Sequence, residues 1–161
     1  MRLYLAGPLF TQAERAWNRR LADALADAGH DVFLPQEAVQ AIASLEADAI
    51  FRVDVEGVRA AGALVAILDG ADADSGTGFE CGLAFAQGVP IVAVRTDFRG
   101  GGDALPGQNL ATVNLMLAQA ATAIVHVPEP IETAAAVAEE IATALTALPA
   151  TVEPVGRLRR G

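Results

Sequence analysis

The segment Asp69-Gly70-Ala71-Asp72-Ala73-Asp74-Ser75-Gly76-Thr77-Gly78-Phe79-Glu80 holds the residue types best suited to covalent chemistry. It carries four carboxylates, three of them ahead of a glycine-rich turn. Gly76 and Gly78 would let the backbone approach a ligand closely. A helix starting at Thr77 would put Glu80 in its first turn, where the helix dipole favours an ionised carboxylate. Such a carboxylate can attack an electrophilic carbon. Thr77-x-x-Glu80 is equally a capping box, which needs no catalytic role. The pattern is neither GxGxxG nor a phosphate-binding loop with its lysine, and the aspartates beside it would repel phosphate. A neutral sugar or base suits it better.

The segment Tyr4-Leu5-Ala6-Gly7-Pro8-Leu9-Phe10 ends the first predicted strand, and Tyr4 is the chain's one tyrosine. Its phenol could bond a neighbouring carboxylate or be a satisfied core hydroxyl. Phe10 could stack on a base or cover a helix. Asp54 falls among Ile50, Phe51, Val55 and Val58, in a pattern that reads as a solvent-facing carboxylate on an amphipathic helix. Cys81 follows Glu80 and reads as a small buried residue. His30 and His126 have no metal-ligand spacing, so no metal site is expected.

The elements that must position these residues alternate along the chain. Strands are predicted at 3–5, 31–34, 63–68, 90–94 and 122–127. Helices are predicted at 11–28, 48–61, 77–87, 109–120 and 131–148. Thr11 with Glu14 is a capping box, and Gly29, Gly62 and Gly88 close helices. Residues 36–47 read as a short helix or a loop, 99–108 as a flexible loop, and the tail from Pro149 as mobile. This alternation predicts a single α/β domain, a doubly wound five-stranded parallel sheet of the Rossmann or flavodoxin type. Ligands bind such sheets beyond the carboxyl ends of the strands. That rule selects residues 6–10, 35–37, 69–80 and 95–99, and makes Gly7, Gln36, Gly76 and Gly78 candidate substrate contacts.

The chain has 161 residues, enough for one core, and 53% of them are hydrophobic. Its net charge of -9 argues against a nucleic-acid partner. One cysteine and no long apolar stretch predict a cytoplasmic protein with no membrane association.

Taken together, Tyr4 to Phe10, Asp54, the run Asp74-Ser75-Gly76-Thr77-Gly78-Phe79-Glu80-Cys81-Gly82, and Asn114-Leu115-Met116 resemble the nucleoside 2-deoxyribosyltransferase family. The resemblance implies Glu80 as nucleophile and Tyr4 as the phenol that orients it. It implies Asp74 and Asp54 as carboxylates that hold the nucleobase and help its proton transfer, with Phe10 as an aromatic wall. Asn114, with Met116 nearby, would reach the sugar of a neighbouring subunit, so a homo-oligomer is implied. The partners would be 2'-deoxynucleosides and free nucleobases, with no cofactor. The alternatives on the same fold are a 2'-deoxynucleoside 5'-monophosphate N-hydrolase and a non-catalytic nucleoside-binding domain. A hydrolase would need phosphate donors in the first strand-helix turn, where Gly7 to Gln12 supply few, and Arg15 and Arg19 are expected to face solvent.

Overall fold

The computed structural model describes residues 1–41, 46–98, 102, 112–127 and 133–149. Five strands, β1 (Arg2–Ala6), β2 (Asp31–Phe33), β3 (Ala63–Ile67), β4 (Ile91–Arg95) and β5 (Ala123–His126), form one parallel sheet in the order β2-β1-β3-β4-β5. This is the doubly wound, flavodoxin-type order expected from the alternation. The helices are α1 (Gln12–Asp27), α2 (Pro35–Ala38), α3 (Ala47–Ala60), α4 (Ser75–Gln87), α5 (Leu115–Ala120) and α6 (Ala134–Thr146). A short 3-10 turn, Val39–Ala41, follows α2. Among the described residues no helix is long and apolar enough to cross a membrane.

Strand parity sorts the core into two faces. Leu3, Leu5, Val65, Ile67, Val92 and Val94 pack against Leu21 and Leu25 of α1 and Ile141 of α6. Tyr4, Ala6, Leu64, Ala66, Ile91 and Ala93 face the other way, with Val58 of α3 and Cys81 and Ala84 of α4. β3 and β4 are buried along their whole length, which explains their unbroken apolar runs. Parity therefore turns Tyr4 toward α4, the helix that carries Glu80.

Two helix starts differ from the expected ones. α4 begins at Ser75, because Asp74 rather than Thr77 is its N-cap: the Asp74 carboxylate accepts from the Thr77 N–H at 2.9 Å and from its hydroxyl at 3.1 Å. α5 begins at Leu115, capped by Asn114, whose Oδ1 accepts from the Met116 N–H at 2.9 Å. The glycine-rich stretch 99–108, apart from residue 102, and the tail beyond Pro149 lie outside the described residues. The remaining boundaries agree within a few residues. The Thr11–Glu14 capping box is present, and Gly88 ends α4 in the left-handed region at φ 72°.

Gly57 lies inside α3, where glycine costs roughly 1 kcal/mol relative to alanine. A Cβ there would stand 2.8 Å from the Phe33 ring and 2.9 Å from Cε2 of Tyr4. The helix thus rests its bare backbone on two aromatic rings, themselves stacked with centroids 5.2 Å apart.

Candidate active site

β1 and β3 are neighbours whose crossovers leave on opposite faces of the sheet, and a cleft opens at their carboxyl ends. A cavity of about 460 Å³ lies there. Gly7, Leu9 and Phe10 from the β1–α1 turn wall one side, and Pro35, Gln36 and Val39 another. Ile50 and Asp54 of α3 and Asp74, Gly76, Thr77 and Glu80 close the rest. Most of the sequence-selected residues thus converge on one space.

Tyr4 is fully buried, and its hydroxyl donates to Oε1 of Glu80 at 2.5 Å. Burial, together with the charge of Glu80, raises the phenol's pKa, so Tyr4 stays a donor throughout the physiological range. The Glu80 carboxyl is pushed up to about 7, chiefly by burial. The Tyr4 hydrogen bond works against that rise, while the charges of Asp54 and Asp74 add to it.

These facts correct the expectation of a dipole-stabilised carboxylate. With the cap at Asp74, Glu80 lies beyond the first turn of α4, where the dipole has faded. It is also not part of a Thr77 capping box. Desolvation decides its acidity instead.

Asp54 is half-buried and lines the cavity, which corrects its reading as solvent-facing. Asp54 lies on the apolar side of α3 with Ile50 and Val58, away from the exposed stripe of Asp48, Arg52, Glu56 and Arg59. Burial raises its pKa, and its Oδ1 is buried with no hydrogen-bond partner among the described residues. A ligand N–H or ring nitrogen could complete it. Gln36 is similar: its Nε2 donates to the Arg15 carbonyl at 3.0 Å, which leaves a buried Oε1 without a partner among the described residues. Among the described residues both side-chain hydrogen bonds of Asp74 use Oδ2, which leaves Oδ1 open to a ligand.

Gly76 lines the cavity, and a Cβ there would meet Oδ2 of Asp74 at 3.1 Å. Gly78 is not among the residues lining this cavity, and the space beside it is open, since a Cβ there would meet nothing within 4 Å. One turn into the helix, its backbone is committed to the helical ladder and not to the cavity. Phe10 stands at the cavity wall, 71% exposed. Asn114 and Met116 do not line the cavity of their own chain. Cys81 is buried in the core with its thiol pushed up to about 12 by burial, as its inert reading expected.

Arg15 was missed. It is exposed but lines the cavity, because the β1–α1 turn doubles back over the helix start. Its NH1 donates to the carbonyls of Leu9 and Phe10 at 2.9 and 3.0 Å. Glu14 accepts from the N–H groups of Phe10 and Thr11 at 2.9 and 2.7 Å, occupying donors that an anion would need. Arg19 is ion-paired with Glu37.

A second cluster was also missed. Arg95 is 2% exposed and donates to the carbonyls of Leu68 and Gly70 at 2.7 and 3.0 Å. Asp69 accepts in return from the Thr96 N–H and hydroxyl, both at 2.6 Å, and from the Asp97 N–H at 2.9 Å. The charged ends of two apolar strands were the signal in the sequence.

No curated protein matches the chain. Among solved structures, a conserved protein from Enterococcus faecalis V583 is 32% identical, with 89% of this chain and 98% of that one covered and a TM-score of 0.67. The 2-deoxyribosyltransferase from Bacillus psychrosaccharolyticus is 24% identical, covering 86% and 90%, with a TM-score of 0.63. A CMP N-glycosidase from Clostridium botulinum shares the fold at 16% identity, covering 89% and 99%, with a TM-score of 0.57. The family model described as nucleoside 2-deoxyribosyltransferase matches residues 3–116, well over half of the sequence, and the chain belongs to that family.

Proposed function

We propose that the protein moves 2-deoxyribose from a 2'-deoxynucleoside to a second nucleobase, with Glu80 as the nucleophile. The observation that carries this reading is the Glu80 carboxylate at the cavity wall, bonded by a fully buried phenol at 2.5 Å. That bond fixes one oxygen and orients the other.

The glycosidic carbon of a 2'-deoxynucleoside lacks the electron-withdrawing 2'-hydroxyl, so positive charge develops there readily. Glu80 attacks this carbon as the bond to the base breaks, and an ester to deoxyribose forms. The second base attacks from the vacated side and releases Glu80. Two inversions give retention, with ping-pong kinetics. Asp54 and Asp74 hold the base, with Phe10 beside it and Gln36 offering an acceptor. Asp54 is the better proton donor to the leaving base, since burial favours its protonated form and its Oδ1 is uncommitted among the described residues. Oδ2 of Asp74 is tied to the helix cap.

The reading includes a homo-oligomer in which Asn114 of the partner subunit reaches the sugar. In its favour, Met116 is 76% exposed, and neither Met116 nor Asn114 lines the cavity of its own chain. The second reading is N-hydrolysis of a deoxynucleoside monophosphate, favoured by Arg15 at the cavity wall. Against it, NH1 of Arg15 is tied to two carbonyls, and Glu14 holds the helix-start donors.

Incubating the protein with deoxyinosine and adenine tests the proposal. Deoxyadenosine should appear as deoxyinosine is lost, followed by chromatography. Hypoxanthine release without a new nucleoside would replace transfer by hydrolysis.

The same reading sets a pH dependence. A protonated carboxyl is not a nucleophile, so kcat/KM for the donor should rise with pH toward about 7 as Glu80 ionises, and fall again at higher pH as Asp54, the proton donor, loses its proton. A rising limb near 4.5, the unshifted glutamate value, would refute the buried nucleophile.

A further inference from the structure

Gly57 does not line the cavity beside Glu80, yet it bears on the group that holds Glu80. It is buried on α3, one turn beyond Asp54 and on the same face. A Cβ at this position would lie 2.9 Å from Cε2 of Tyr4, the ring carbon next to the one bearing the hydroxyl. It would also lie 2.8 and 2.9 Å from two carbons of the Phe33 ring. Phe33 is only partly buried and can yield, but Tyr4 is 0% exposed and has no space to retreat into. Phe33 stacks on Tyr4 with an interplanar angle of 14°, so a shift of either ring disturbs the other.

We propose that Gly57 is a positioning residue for the nucleophile: its missing side chain seats the Tyr4 ring so that the phenol meets Glu80. The proposal rests on the reading of Glu80 as nucleophile only for its kinetic consequence. The geometric claim stands apart from it. A methyl group at residue 57 pushes the phenol at its hydroxyl end and lengthens a 2.5 Å bond. The groups that face Glu80 are Tyr4 on β1, Asp54 on α3, and Asp74 and Cys81 on or beside α4. Of these, Tyr4 is the one the methyl would touch, and an effect carried by Asp54 on the same helix would persist in the Tyr4→Phe background.

The test compares Gly57→Ala, Tyr4→Phe and the double variant with wild type. Gly57→Ala should lower kcat roughly tenfold, the scale of one hydrogen bond to a charged group, with KM nearly unchanged. It should also move the rising pH limb upward, because the Tyr4 bond lowers the Glu80 pKa. In the Tyr4→Phe background the substitution should have almost no further effect. An equal fall in both backgrounds means that Gly57 serves packing alone and overturns the proposal.

A second readout needs no activity. The chain has one tyrosine, so a carbon-13 label at tyrosine Cζ reports Tyr4 alone. Gly57→Ala should shift that resonance in the same direction as Glu80→Gln does, and an unmoved resonance overturns the proposal. A shift in a protein that shows no base exchange would keep the positioning role and remove the nucleophile reading. If Gly57→Ala does not fold, Phe33→Leu/Gly57→Ala relieves the Phe33 contacts and keeps the push on Tyr4.

Discussion

Glu80→Gln should cut base exchange by at least about a thousandfold and make the folded protein more stable above pH 7. The first effect follows from removing the attacking group, since losing a nucleophile leaves only binding and positioning. The second follows from burial. In the unfolded chain this carboxyl ionises near 4.5, and in the folded protein near 7. Between these values the unfolded chain gives up a proton that the folded chain keeps. Stability therefore falls as pH rises through that window and stays level above it. Below 4.5 both states are protonated, and the carboxyl costs nothing by this route. The glutamine variant escapes the loss but weakens the bond from Tyr4, so its net gain at pH 8 is of order 1–3 kcal/mol. For a domain of this length each kcal/mol is worth roughly 2–4 °C of Tm. Thermal melts of both proteins at pH 4 and pH 8 check the result. A variant no better at pH 8 than at pH 4 would mean that desolvation does not set the acidity of Glu80. Near-normal turnover would mean that Glu80 is not the nucleophile.

A residue that weakens the fold where it is ionised is a mark of function, because selection for stability alone would replace it. The same holds for Gly57, which gives up helix propensity, and for the unmatched oxygens of Asp54 and Gln36. All four lie within one region, on elements that a parallel sheet brings to the carboxyl ends of β1 and β3.

Much of this arrangement was legible in the sequence. The buried strands announced themselves as unbroken apolar runs, and the alternation with helices fixed the fold class. The sequence leaves the partner of Tyr4 open between a carboxylate and the core, and the structure shows it bonded to Glu80 on the α4 side of the sheet. The start of α4 did not follow, because two cap signals overlap: Thr77 with Glu80, and Asp74 with Thr77. Asp74 prevails because its carboxylate bonds both the amide and the hydroxyl of Thr77. This two-residue difference changes the chemistry, since it takes Glu80 out of the helix dipole and leaves burial in control. Gly57 was silent for another reason. A glycine in a helix gives no sign of what opposes it, and here the opposing rings come from β1 and β2.

Arg95→Met should destabilise the fold by about 3–5 kcal/mol, more than any substitution of an exposed charge. Arg95 is buried and holds the carbonyls of Leu68 and Gly70, with the Asp97 carboxylate 3.8 Å away. Asp97 in turn accepts from the Gly70 N–H at 3.2 Å. Methionine fills similar volume but removes the cation beside a buried carboxylate and leaves two carbonyls without these donors. Arg52 gives the contrast. Its ion pair with Asp48 has both side chains about 70% exposed, and Arg52→Ala should cost less than about 0.5 kcal/mol. Urea unfolding of the three proteins measures both values. An Arg95→Met midpoint close to that of Arg52→Ala would show that the interlock adds nothing to the fold. The expected large loss ties stability to the site, because the segment that Arg95 grips runs from Leu68 through Gly70 to Asp74. From there α4 carries Glu80 to Tyr4. The sheet reaches Glu80 by two routes, through Tyr4 directly and through this turn, and the turn is the one that a buried cation holds.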